Sequence, residues 1–266
     1  MMTCKRPHGA RFPGTRNTYW ILALSLFLAA TGKQTSAQTP NPDDCLSTER
    51  ILQHYVASLG GQAQLNAIDT RTSEAEALEP SFKPGHPDKR KYVFKWKAPG
   101  KVVFKNHTTI FNTFTFKFDG ESLWTTVRGK PMPAGGTVEG DSSPFIWMIR
   151  VMADPLMFAD PNKLYLELRK PRFDFTGGHH YCVLHAVPKA NPKGRHILYF
   201  DAVTGWLRVL EIPYRSASFF IYFDDYRDVN GVKFPFYIYC DIPLGITVRF
   251  QKVVHNQPLW DAEFIP

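Results

Sequence analysis

The residues with chemistry to offer stand in four places, and in each the spacing decides what they could do. Gly140-Asp141-Ser142 presents a serine of the kind that attacks acyl groups, a reaction that also needs a histidine base. The histidine nearest the end, His255, follows Lys252-Val253-Val254 and has no aspartate three residues before it, so that pair is missing and the serine reads as a turn. His179, His180, Cys182 and His185 could bind a metal. On a strand, however, His179 and His185 point to one face while His180 and Cys182 point to the other, and no three ligands converge. Asp224, Asp225 and Asp228 lack the alternating acidic loop of a calcium site and read as solvated turn residues. No phosphate loop, dinucleotide fingerprint or nucleophile elbow occurs, so no cofactor, metal or catalytic residue is expected.

Cysteines are the fourth group. Cys45, Cys182 and Cys240 lie beyond the first 37 residues, with no CxxC, no CxxCH and no paired zinc spacing. Cys182 and Cys240 both fall in strand-like runs and are the expected disulfide, leaving Cys45 over.

What must position these groups starts after a targeting segment. Lys5, Arg6, Arg11 and Arg16 precede an apolar run from Tyr19 to Ala30, followed by Thr35-Ser36-Ala37. That order reads as a cleaved secretory signal over residues 1–37, because the run is short of the ~20 apolar residues a spanning helix needs. The whole chain carries +8, but residues 1–37 hold five basic and no acidic side chains, so the remainder carries only +3. This excess is too small and too evenly spread for nucleic acid. Lys89-Arg90-Lys91 is the one basic run and reads as a solvated strand end.

Residues 38–45 read as a flexible polar leader, and 46–266 as a single domain. Ile51, Leu52, Tyr55, Val56 and Leu59 form an apolar helical stripe, with Ser47 as its cap and Gly60-Gly61 as its stop. From about Thr70 the period becomes two. Tyr92, Phe94 and Trp96 oppose Lys95 and Lys97, and Phe114, Phe116 and Phe118 oppose Thr113, Thr115 and Lys117. Asp119-Gly120 and Asn230-Gly231 mark hairpins. Lys130 to Ser143 reads as a loop, and Phe145 to Val151 as a short helix that is apolar nearly all round, closed by Pro155. Strands then resume to the end, with no βαβ alternation.

The reading is a mainly β chain: about ten antiparallel strands in a sheet that tends to curl or close, with an amphipathic helix before it and a mid-chain apolar helix that plugs, covers or inserts into something apolar. Its inward face and that helix define a candidate apolar binding site of Phe94, Trp96, Phe104, Phe114, Phe116, Phe145, Trp147, Met148, Met152, Phe219 and Phe223. The pattern leaves two outcomes open: a greasy cavity, or an interior filled by its own side chains.

Several stretches resemble the outer-membrane lipoprotein-sorting proteins of the LolA/LolB-like superfamily: ILQHYVASLGGQAQLNAI from Ile51, FDGESLW from Phe118, YFDAVTGWLRVLE from Tyr199, FDDYRDVNGVKFPF from Phe223, and ITVRFQKVVHNQPLWDAEFIP from Ile246. The matches run in order through most of the chain, whereas Ser81 to Lys91 and Lys130 to Ser143 depart from the pattern. The resemblance implies a curved, half-open antiparallel β-barrel, with an N-terminal helix and a mid-chain lid helix over an apolar cavity, in a protein that carries or senses lipid or lipoprotein acyl chains in the periplasm and meets envelope proteins, without enzymatic activity; a monomer is expected. The alternative is a structural or interaction module whose filled barrel meets a protein partner.

Overall fold

Thirteen strands hydrogen-bond into one antiparallel sheet in a computed structural model that describes residues 42–80, 87–108, 112–120, 122–132, 144–214, 217–241 and 245–265. The signal segment, residues 38–41, Gly140-Asp141-Ser142 and the Phe145 side chain lie outside the described residues.

In chain order the strands are β1 (Thr70–Glu79), β2 (Asp88–Lys97), β3 (Lys101–Thr108), β4 (Asn112–Phe118), β5 (Leu123–Val127), β6 (Lys130–Met132), β7 (Tyr165–Thr176), β8 (His179–Pro188), β9 (His196–Asp201), β10 (Leu207–Tyr214), β11 (Ala217–Val229), β12 (Val232–Asp241) and β13 (Ile246–His255). Their lateral order is 6-5-4-3-2-1-13-12-11-10-9-8-7. Every neighbour is thus the preceding or following strand except at the β1–β13 pair, which joins the two halves. The sheet is curved and stays open between β6 and β7, its two free edges. The connection between those edges carries the helix α3 (Pro144–Ala153).

Side-chain alternation builds the concave wall. Tyr92, Phe94, Phe104 and Phe116 are buried, and the register pairs Phe94 with Phe104 and Phe104 with Phe116. Phe94 and Phe104 stack at 5.1 Å, the cross-strand aromatic contact that stabilises a half-buried sheet. At the start of β2, Lys89 and Lys91 point outward and pair with Glu76 and Glu74 of β1, whereas Arg90 shares the inward parity of Tyr92 and pairs half-buried with Glu79.

The helix α1 (Thr48–Ser58) lays its stripe on the other half of the sheet, where Tyr55 meets Phe200 of β9 at 5.1 Å and Ile51 and the following Leu59 are also buried. Ser47 Oγ accepts a hydrogen bond from the Arg50 amide at 3.4 Å and caps it. Its C-terminal end seats on the hairpin at Asn230-Gly231, whose two positive φ values suit a primed turn. The Lys233 amide donates to the Leu59 carbonyl at 2.9 Å, and a side chain at Gly60 would stand 2.1 Å from the Gly231 carbonyl oxygen. The short helix α2 (Gln62–Asn66) leads into β1.

Three expectations change. The described residues hold thirteen strands, and the last of the first half, β6, occupies the start of the stretch read as a loop. The disulfide joins Cys45 to Cys182, not Cys182 to Cys240. Cys182 lies on β8 and Cys240 on β12, with three strands between them, whereas residues 42–46 fold as a 3-10 turn that brings Cys45 to a Cα–Cα distance of 4.7 Å from Cys182. Cys240 is a free, buried thiol. It follows that residues 42–45 belong to the folded domain and not to a leader, since Cys45 is fully buried.

Candidate functional site

A helix without a polar side cannot face water, and α3 (PFIWMIRVMA) takes the interior position. Trp147, Met148, Ile149, Val151, Met152 and Ala153 are each at most 2% exposed. They share one hydrophobic cluster with α1 and both halves of the sheet. The mid-chain helix is thus buried against the sheet, next to β2 and β3 and in ring contact with Tyr165 of β7 and His196 of β9.

Near its start α3 is held by ring contacts, and at its end by a charged one. Near its start, Trp147 stacks over Tyr165 at 6.3 Å and meets the ring of His196 edge-on at 4.5 Å. The Tyr165 hydroxyl and His196 Nδ1 are hydrogen-bonded at 3.1 Å. Burial pushes the His196 pKa down to about 3, so this ring is neutral at ordinary pH.

At its end, Arg71 of β1 is 2% exposed and points inward. Its Nη2 donates to Asp154 Oδ1 at 2.6 Å and to the Ala153 carbonyl at 3.0 Å. Its guanidinium lies 5.1 Å from the ring centroids of both Trp96 and Phe234, which shield the charge. Arg71 Nε, Ser73 Oγ, Trp96 Nε1 and His255 Nε2 are buried with no hydrogen-bond partner in the protein. The His255 pKa is pushed down to about 4, by burial first and by the Arg71 charge second. Buried polar atoms are normally satisfied, so four on one stretch of wall mark it as incompletely paired with α3 in place.

Beside this contact lies a cavity of about 170 Å³. Leu65, Ile68 and Pro99 line it on one side and Leu156, Met157 and Leu164 on another, while Arg71, Arg150, Asp154 and Lys163 supply charge. That is the scale of a cavity for one benzene ring (~150 Å³), below the ~300–1,000 Å³ of a pocket for a larger ligand.

The residues expected to line an apolar site do come together. Phe94, Phe104, Phe116, Trp147, Met148, Met152 and Phe223 are buried in the common core, and Trp96, Phe114 and Phe219 pack against it half-buried. Only Trp96 among them borders the cavity. Sequence reasoning missed Arg71, Asp154, Tyr165, His196 and Phe234. The signal for Arg71 was its parity: it shares the inward face of β1 with Ser73, Ala75 and Ala77. On β8, His180 stacks on Phe173 at 5.2 Å. Among the described residues, no group of three His, Cys, Asp or Glu side chains could hold a metal ion.

No family model matches the sequence, and no curated protein does. Solved structures do match. A LolA superfamily protein of Nitrosomonas europaea superposes with a TM-score of 0.58 at 11% identity, covering 83% of this chain and 98% of the other. A DUF1329 family protein of Desulfovibrio piger gives 0.57 at 12% identity, over 82% and 96%. An outer-membrane lipoprotein-sorting protein domain of Vibrio parahaemolyticus gives 0.56 at 13% identity, over 80% and 94%. At such identities the likeness is one of fold.

Proposed function

The chain has the LolA-like fold, and from that premise we propose that it is an envelope protein that shelters lipid or lipoprotein acyl chains, with α3 as a displaceable plug. One observation carries the reading: the space inside the curved wall is occupied by a ten-residue helix that is apolar on nearly every side. Such a helix occupies volume that an acyl chain could take over, exchanging one set of apolar contacts for another. The buried atoms left unpartnered around Arg71 support the exchange, since the plugged state leaves hydrogen-bonding capacity unused. A periplasmic location, a cleaved signal at residues 1–37, action as a monomer on acyl chains or envelope proteins, and the absence of catalysis belong to the same proposal.

Native mass spectrometry of the purified protein tests it, with co-purified lipid as the expected result. Each buried methylene contributes ~0.8 kcal/mol, so affinity for a series of acyl probes rises about fourfold per added methylene. A flat series, with no lipid carried through purification, would remove the proposal. It would favour the second reading, an interaction module with a permanently filled interior, for which the near-zero exposure of Ile149, Val151 and Met152 speaks.

A further inference from the structure

Moving α3 out of the wall separates Asp154 and the Ala153 carbonyl from Arg71, and the consequence decides what kind of guest can take their place. Arg71 is buried against Trp96 and Phe234, and its Nη2 has the Asp154 carboxylate and the Ala153 carbonyl as partners. A buried guanidinium left without a counter-charge is strongly unfavourable, so an uncharged guest would displace the helix only by abandoning that cation. Arg71 Nε and Trp96 Nε1 are further donors without acceptors on the same wall. The cavity beside the pair already brings Arg71 and Lys163 to one opening.

Building on the acyl-binding reading above, we infer that the guest is an anionic amphiphile whose carboxylate or phosphate replaces Asp154 as the partner of Arg71. The tail then fills the space vacated by α3, and the head group accepts from the guanidinium and the indole N–H. The exchange conserves charge in the interior: one anion leaves Arg71 as another arrives. It also makes release of the helix dependent on the head group.

Three probes with one tail and different heads test this: hexadecanoate, hexadecyl phosphate and hexadecanol, titrated into delipidated protein at neutral pH below their aggregation concentrations. Both anions should bind at least about tenfold tighter than the alcohol, the scale of one charge-assisted hydrogen bond. Whichever anion binds tighter identifies the head group as carboxylate or phosphate. Asp154→Asn should tighten both anions by about a further tenfold while changing the alcohol less, and Arg71→Gln should close the gap between anions and alcohol. Equal binding of all three probes overturns the inference and leaves the acyl reading standing. Equal tightening of all three by Asp154→Asn also overturns it, because the aspartate would then be only a latch. Binding of none overturns both.

Discussion

His196 meets Trp147 edge-on, with 4.5 Å between ring centroids, and the burial that places this imidazole against α3 also makes it resist protonation. Folded His196 takes a proton only near pH 3, whereas the same side chain unfolded takes one near 6.5. Above that upper value both states are neutral and the residue contributes nothing to pH dependence. As pH falls below it, the unfolded state binds the extra proton and stability is lost. The slope is up to about 1.4 kcal/mol per pH unit, and His255 adds to it down to about pH 4. Guanidinium denaturation between these limits should show this slope, and His196→Asn should reduce it by about one proton. An unchanged slope in the variant would assign the pH dependence to other groups.

Breaking the contact at the far end of the helix has a different signature. Asp154→Ala leaves Arg71 buried without its carboxylate and should lower unfolding free energy by about 3 kcal/mol, the lower end for a broken buried pair because Asp154 keeps some solvent contact. Equilibrium denaturation measures it. A loss typical of exposed pairs, under about 1 kcal/mol, would mean that Arg71 finds another partner.

Met152 separates a plug from a permanent core. Truncation to alanine removes a fully buried side chain and should destabilise by about 2–5 kcal/mol under either view. If acyl chains displace α3, however, the variant binds them more tightly, because less packing is given up on exchange. Paired measurement of denaturation and acyl-probe affinity gives the answer: lower stability with unchanged or weaker binding argues for the filled module.

The Cys45–Cys182 bridge spans 137 residues of sequence. Cys45→Ser should cost about 2–4 kcal/mol of stability, mostly by freeing the unfolded chain. A thiol reagent applied to the chain from residue 38 onward should find no accessible group in the native protein and one, Cys240, after denaturation. Burial also raises the Cys240 pKa and suppresses its thiolate. Rapid native labelling would show that β12 opens locally.

Much of the fold was written in local pattern. The aromatic alternation of β2 to β4 and the Asn230-Gly231 turn carry their own periodicity and torsional demands, and the structure repeats both. What stayed hidden depends on partners distant in sequence. Ser73, Ala75 and Ala77 form no apolar signal, so the sequence does not tell which face of β1 points inward or that Arg71 lies on it. Cys45 finds Cys182 through a turn that Pro42-Asp43-Asp44 did not advertise. That α3 would be apolar nearly all round was legible; which strands and side chains it packs against depends on partners distant in sequence.

The strand order ties two features together. Because β6 and β7 are the sheet's unpaired margins and α3 sits on the segment linking them, the seam in the wall and the seat of the helix belong to one mechanical loop. The chain therefore passes from one unpaired margin to the other by way of the buried helix, so whatever holds α3 in its seat also holds the middle of the segment that joins the margins.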